Sequence, residues 1–187
     1  MKDICATEAA PPRVENGHPP TIEIRLAIDA DLPHLVRLMA EMDDADVDPR
    51  DEGAAAMIRA TMATMTRYPD FKIYVLLEAG LPVASFSLMI FCSPSHNGAL
   101  QALLDAVVVQ RDRRSAGLGA IMLEHAMHRA AAAGCYKLML SSNIRRTNAH
   151  RFYEGFGFSQ HGISFSIDVP AVQVTSTDAP TTASTLQ

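Results

Sequence analysis

The feature that most restricts what this chain can fold into is one continuous passage, residues 99–134. It opens as an apolar run, ALQALLDAVVV, crosses a charged, glycine-containing stretch, RDRRSAGLG, and ends in AIMLEHAMHRAAAAG. The apolar run, residues 99–109, reads as a strand buried on both faces if it is central. Met122, Leu123, Ala126, Met127 and Ala130 recur at helical spacing, which predicts a helix over 118–133 closed by Gly134 as its C-cap. Residues 111–119 are then a strand-to-helix loop. Glycines in such a loop let the backbone approach a ligand closely. The first N–H groups of the following helix have no partner inside it, and the helix dipole adds partial positive charge there. A pyrophosphate fits such a nest. The loop is not a P-loop, because no Lys-Ser or Lys-Thr follows the glycine, and GLG lacks the third glycine of the dinucleotide fingerprint.

The remaining elements are set by periodicity and punctuation. Residues 21–27 alternate through Ile22, Ile24 and Leu26 as a strand. Asp29 or Asp31 can cap a helix whose apolar face is Leu32, Leu35, Val36, Leu38, Met39 and Met42. The acidic residues 43–51 form a loop, and Met57, Ile58, Met62 and Met65 mark a helix over 54–66, with the methionines as core filler. Strands follow at 71–77 and 83–91, joined by a turn at 78–82 as an antiparallel pair. After the central passage come a strand at 136–140, a short helix opened by Thr147 or Asn148 and running to Phe156, and a late alternating strand at 158–169. Helices interleaved with strands in this order give an α/β domain with a mixed sheet. The folded unit is expected at 21–169. Residues 1–20 and 170–187 are polar and without period, and are read as tails.

Bulk properties narrow the class. The 187 residues favour a single domain with a real core. A net charge of −5 offers no global attraction to nucleic acid or to an anionic membrane. The basic residues are clustered, however: Arg111, Arg113 and Arg114 in the loop, and Arg145 with Arg146 further on, which suits a small anionic ligand. Cys5, Cys92 and Cys135 are scattered, an odd count without metal or disulfide spacing, and read as reduced thiols of a cytoplasmic protein. No apolar run approaches the roughly 20 residues of a membrane span, and residues 1–20 lack the apolar core of a signal peptide.

Arg114-Ser115-Ala116-Gly117-Leu118-Gly119 resembles the acetyl-CoA loop of the GNAT superfamily of N-acetyltransferases, Arg/Gln-x-x-Gly-x-Gly/Ala, at every fixed position. Three further matches follow that family's order: the strand ALLDAVVV before the loop, GCYKLML after the helix, and AHRFYEGFGF, which is similar to the family's Ala-x-x-x-Tyr-Glu-x-x-Gly-Phe ending. The resemblance implies a mixed, mostly antiparallel twisted sheet flanked by helices, whose splayed central strands form the acetyl-CoA cleft. It implies no metal. Val107, Val108 and Val109 would pair with the pantetheine amides. The backbone of Arg114, Ser115, Ala116, Gly117, Leu118, Gly119 and Ala120 would hold the pyrophosphate, with Arg113 or Arg114 adding charge-assisted contacts. Tyr153 matches the tyrosine near the CoA sulfur, the candidate acid. Asp105 stands where many relatives carry a glutamate as base, one methylene shorter, so that a water relay would bridge the gap. Asn148 or Asn143 is the asparagine available to the pantetheine arm.

The implied activity is transfer of an acetyl group from acetyl-CoA to a primary amine of a small molecule, by direct attack in a ternary complex. Residues 141–158 also resemble the ending of aminoalkylphosphonate acetyltransferases, whose acceptor carries an amine and an anion; the Arg145–Arg146 pair would suit it. A protein lysine or N-terminal acetyltransferase, and an acyl-CoA-binding module without catalysis, are the alternatives. A homodimer would be in keeping with relatives. Plainer readings stand beside these: Asp105 as a polar strand-edge residue, Tyr153 and His150 as packing residues, Arg145 and Arg146 as a solvated loop. His125 and His128 are three apart, but lie on the face opposite Met122, Leu123 and Ala126, and read as solvated. His161, in the late strand, is an acceptor-side candidate.

Overall fold

The computed structural model describes residues 20–168, so nearly all of the two expected tails lies outside the described residues. Five strands make one sheet in the order β1-β2-β3-β4-β5. These are β1 (Ile22–Leu26), β2 (Phe71–Glu78), β3 (Leu81–Cys92), β4 (Leu100–Val109) and β5 (Leu138–Leu140). Four helices accompany them: α1 (Leu32–Met42), α2 (Glu52–Met65), α3 (Leu118–Ala132) and α4 (Thr147–Phe156). β1 to β4 are antiparallel neighbours, and β5 joins β4 in parallel. β2 and β3 meet in a two-residue turn, Ala79–Gly80, with positive φ at both positions (50° and 83°), the twist that a tight hairpin demands.

The sheet is covered on both faces, and β2 shows how one sequence serves two cores. Its side chains alternate: Tyr74 and Leu76 join Phe86, Leu104, Met122 and Leu123 on the α3 side, while Val75 and Leu77 join Leu32, Leu35, Val36 and Ile58 on the α1–α2 side. That is why β2 reads as a continuous apolar run rather than as a clean alternation. The entry to α1 is fixed by Asp31, which is 3% exposed. Its carboxylate accepts the Ile28 N–H at 2.8 Å and two Arg25 N–H groups at 2.7 and 2.9 Å. Burial alone would raise its pKa; the hydrogen bonds from Arg25 and Ile28 outweigh that and hold it below the usual value.

Several sequence expectations need correction, among them Met57, read as core filler and 59% exposed. α2 begins two residues earlier than the methionine spacing suggests, because Asp51 is the N-cap, its side chain accepting the Ala54 N–H at 2.8 Å. β5 is shorter than 136–140, pairing with β4 only through Leu138, Met139 and Leu140. The late strand expected at 158–169 does not form over the described residues 158–168. Finally, His125 is not on a solvated face. Its ring packs against Tyr74 (centroids 5.3 Å apart) and Phe86 (6.3 Å), and its buried Nε2 has no hydrogen-bond partner. Those two large rings extend the core to that side of α3, whereas Met127, expected inside, is exposed.

Burial, helped by the nearby Arg129 and His128 charges, lowers the His125 pKa. The unfolded chain therefore binds the proton more readily, and stability is complete above the unfolded value of about 6.5 and falls as the pH drops below it toward the folded value. Urea unfolding followed from about pH 7.5 to about pH 5.5 should show this loss. His125→Phe, which keeps the ring packing, should reduce it, leaving the share of His34, whose pKa burial also lowers; an unchanged slope would show that His125 is not a source.

Candidate active site

The site is built where two strands part. β4 and β5 are paired through Ala102↔Leu138, Leu103↔Met139 and Leu104↔Leu140, and no further. β4 continues through residues 105–109 with its β5-facing edge unpaired among the described residues, while the other edge stays on β3. Asp105 is the first residue past the last β4–β5 pair. It is exposed, and its carbonyl accepts the Ser87 hydroxyl at 3.2 Å. On the β3 side the register slips between Ser85 and Ser87, so that one extra β4 residue is accommodated, and Ala106 takes φ 49°. The bulge bends β4 locally just past its last pair with β5. Val108 is buried and Val107 and Val109 half-buried behind this edge.

The loop after β4 carries two left-handed residues, Ser115 (φ 69°) and Gly117 (φ 80°). Gly117 is the N-cap of α3, and its carbonyl takes the first helical hydrogen bonds, from Ala120 N–H at 3.0 Å and Ile121 N–H at 3.3 Å. The N–H groups of Leu118 and Gly119 precede those bonds and are left for an outside partner. A Cβ built on Gly117 would meet nothing within 4 Å, so its glycine character answers to φ and to open space before the loop. Gly119 has a different reason. A Cβ there would come within 2.9 Å of Phe152 Cζ, so the first turn of α3 is seated directly on α4.

That contact brings the Tyr153 helix to the loop. Tyr153 is half-buried, its ring 5.3 Å from that of Phe152 and 5.8 Å from that of Phe158. Burial raises the pKa of its hydroxyl, against a smaller opposing pull from the Arg146 charge. His150 does not pair with it; its Nε2 lies 3.0 Å from the Asn143 carbonyl and ties α4 to the preceding loop. Asn148 is exposed, with its side-chain oxygen accepting from Arg151, and Asn143 uses its own to accept the Arg145 N–H at 2.9 Å. His161 is exposed in the segment that forms no strand. Arg145 is exposed, but Arg146 also reaches α1, donating to the Met42 carbonyl at 2.7 Å.

The arginines of the loop are held unequally. Arg113 pairs with Glu78, Arg114 Nε donates to the Val109 carbonyl at 3.1 Å, and the Arg111 guanidinium reaches Asp44 at 3.0 Å. The Arg111 N–H donates to the Glu41 carboxylate at 2.6 Å, and Arg37 donates to the Gln110 side chain. The start of the loop is thus pinned from α1, through Arg37, Glu41 and Asp44. None of these residues stood out in the sequence; the only trace was an acidic stretch that reads as an ordinary solvated loop.

Residues 37–158 match the family described as Acetyltransferase (GNAT) family. With the fold and the parted strands, this defines the class: the chain belongs to the GNAT family, the acetyl-CoA-dependent N-acetyltransferases. Among individual relatives, it is 28% identical over 150 residues to glucosamine 6-phosphate N-acetyltransferase of Trypanosoma brucei brucei, spanning 79% of this chain and 96% of that protein. It is 32% identical to a solved protein of Agrobacterium tumefaciens str. C58, provisionally described as an acetyltransferase, with a TM-score of 0.69 over 79% of this chain and 99% of that one. Aminoglycoside N-acetyltransferase AAC(6')-Iy, solved in complex with CoA, shares the fold at 12% identity and a TM-score of 0.66, over 84% of this chain and 99% of that one. No described helix is long and apolar enough to cross a membrane.

The close seating of α3 on α4 has a measurable consequence. Gly119→Ala should be destabilising because Phe152 must give way, and the cost should shrink in a Phe152→Ala background. A double-mutant cycle by urea unfolding should return a coupling of about 0.5–1 kcal/mol between these positions; additive effects would show that the contact is not tight.

Proposed function

We propose that this chain transfers the acetyl group of acetyl-CoA to a primary amine of a small molecule, by direct attack within a ternary complex. The observation that carries this reading is the unpaired β4 edge at residues 105–109, lying beside a left-handed loop that opens a helix. The residues present fit the cofactor. Val107, Val108 and Val109 offer main-chain groups to the pantetheine amides as an added strand would. The free N–H groups at the start of α3, with those of Arg114 to Ala116, cradle the pyrophosphate in the open space before Gly117. Arg114 has guanidinium N–H groups beyond the one given to Val109 and adds a charge-assisted contact. Arg113, neutralised by Glu78, contributes mainly by fixing the loop. Asn148 serves the pantetheine arm by turning from Arg151.

Bound acetyl-CoA supplies the activated thioester carbonyl. Asp105, exposed at the point where β4 and β5 part, takes the proton of the incoming ammonium, directly or through one water. The amine nitrogen then bonds to the acetyl carbon as the carbon–sulfur bond breaks, Tyr153 gives its hydroxyl proton to the departing thiolate, and the second proton on the new amide nitrogen returns to the Tyr153 phenolate through solvent. Burial raises the Tyr153 pKa, so the phenol is protonated at neutral pH as any tyrosine would be, and the acid role is supported by its motif position in α4 rather than by that shift. As for the acceptor, the Trypanosoma relative acts on an amino sugar phosphate, and this chain places the exposed Arg145 and Arg146 at the start of the Tyr153 helix. A small amine that also carries an anion is therefore the first class to try.

CoA release from acetyl-CoA should be measured against aminophosphonates, amino sugar phosphates, amino acids, polyamines, aminoglycosides and lysine peptides. Turnover is expected on a small-molecule class and not on peptides. Gly117→Glu should abolish acetyl-CoA binding by calorimetry, and Tyr153→Phe should lower kcat by roughly 100-fold with binding intact. Asp105→Asn should likewise lower kcat by roughly 100-fold with acetyl-CoA binding intact. Turnover confined to peptides would overturn the acceptor assignment, and folded wild type that fails to bind acetyl-CoA would overturn the reading as a whole.

A further inference from the structure

Among the described residues, three arginines are not exposed: Arg25, Arg37 and Arg113. A charge drawn out of water is normally paired, because its lost hydration must be offset. Arg25 has Asp31, and Arg113 has Glu78. Arg37 forms no ion pair with any described carboxylate. Its Nη2 donates to the side-chain oxygen of Gln110, a neutral acceptor, and its Nε is buried with no partner. Glu41 lies one helical turn on, at a spacing where the two side chains can meet. It is engaged elsewhere, accepting the Arg111 N–H at 2.6 Å, while Asp44 takes the Arg111 guanidinium. Arg37 is therefore a half-buried cation for which the described chain supplies no counter-ion.

Its place in the fold gives that charge a use. Gln110 follows Val109, the last residue of the open β4 edge, and its N–H is tied to the Val83 carbonyl at 2.8 Å. Residues paired across a sheet share a face. Val75, which pairs with Ser85, belongs to the core under α1 and α2, so Ser85 and then Ser87 face that side. Asp105 pairs with Ser87 and looks the same way. The Ser85 hydroxyl, in a residue only 1% exposed, is a second buried polar group without a partner on that face. Arg37 and Asp105 thus lie on one side of the sheet, and α3, whose first N–H groups suit a pyrophosphate, packs on the other.

We propose that Arg37 binds the anionic group of the acceptor, a phosphate, phosphonate or carboxylate carried by the same small molecule whose amine reaches Asp105. This rests on the acetyl-transfer reading and adds to it the residue that selects the acceptor. The exposed Arg145 and Arg146 stand in solvent, where screening leaves them little more than a means of drawing an anion in. Arg37 is different in kind. Its charge is already partly dehydrated, so an anion arriving there meets a donor that has lost its competing water, and the contact is charge-assisted. The opposite placement of α3 separates this site from the phosphates of the cofactor.

His34, one turn before Arg37 on α1, reports on the site without any need for turnover. Burial lowers its pKa first and the Arg37 charge second, against an opposing pull from Asp31. An anion that neutralises Arg37 should therefore move the His34 titration up, toward the ordinary value of about 6.5. The His34 imidazole of the full chain should be titrated by NMR, its signal assigned by loss in His34→Gln. 2-Aminoethylphosphonate or glucosamine 6-phosphate should produce the upward move, and their uncharged-tail counterparts, propylamine and glucosamine, should not. In Arg37→Gln the titration should begin higher and no longer respond; Arg37→Lys, which keeps the charge, should respond in part. With either anionic amine as acceptor, Arg37→Gln should raise KM roughly 10- to 100-fold beyond any change seen with the neutral amine, the loss of one charge-assisted contact. A His34 titration indifferent to both anionic amines, or a response that survives Arg37→Gln, would overturn the proposal. So would a response to CoA that pantetheine fails to give, since the anion would then be the cofactor's. A response in a protein that does not bind acetyl-CoA would sink the transfer reading and leave the anion site standing.

Discussion

The structure turns on the way β4 is paired. Along its first half it is hydrogen-bonded on both sides, to β3 and to β5; along its second half it is held by β3 alone. The change falls within two residues, at Asp105 and the bulged Ala106. A strand in mid-sheet that loses one neighbour exposes unsatisfied N–H and C=O groups, a costly arrangement unless something else supplies the partner. In this fold the loss is tolerated because the other edge stays fully paired and Val108 remains buried, so the opening does not undermine the core. The gap is therefore a stable feature, and its unpaired edge is open to an extended partner as it would be to another strand.

Around that gap the helices act as clamps. α3 starts at Gly117 and leans on α4 through the Gly119–Phe152 contact, so the loop and Tyr153 are placed by one packing interaction. α1 works from the opposite face of the sheet. Arg37, Glu41 and Asp44 hold Gln110 and Arg111 at the start of the loop, and the Met42 carbonyl receives Arg146 from the start of α4. Most of these are hydrogen bonds, and the one ion pair among them, Arg111–Asp44, is exposed and individually weak. Their effect is geometric: they tie α1 and the turn after it to the loop after β4 and to the start of α4, elements far apart in sequence. Arg111 and Arg113, which look in the sequence like ligand-binding charges, spend themselves largely on Asp44 and Glu78.

Much of this was legible in the chain. Val107 to Gly119 and the pattern around Tyr153 carry local chemistry: glycine at positive φ, free N–H groups at a helix start, an aromatic in a short helix. Such features depend on neighbours within a few residues, and sequence spacing records them. The strand at residues 71–77 was legible for the same reason, though its burial on two faces was not. What could not be seen depends on distant partners. His125 looked solvated because its helix neighbours say so, and only Tyr74 and Phe86, from other strands, turn it inward. Asp51 capping α2 was hidden in an acidic stretch whose residues are alike in composition and unlike in position.

By itself, then, the sequence determined the order of elements as far as α4, the left-handed loop at the start of α3 and the family to which the chain belongs, because each rests on short-range stereochemistry and on a fixed order of motifs. Only the tertiary structure decided where β5 lets go of β4, which arginines are already spent on carboxylates, and that Phe152 seats one helix on another. The segment after α4 marks the boundary between the two. Its alternation specifies a strand, but a strand is completed by hydrogen bonds to another backbone, and which backbone that is lies beyond what periodicity can encode.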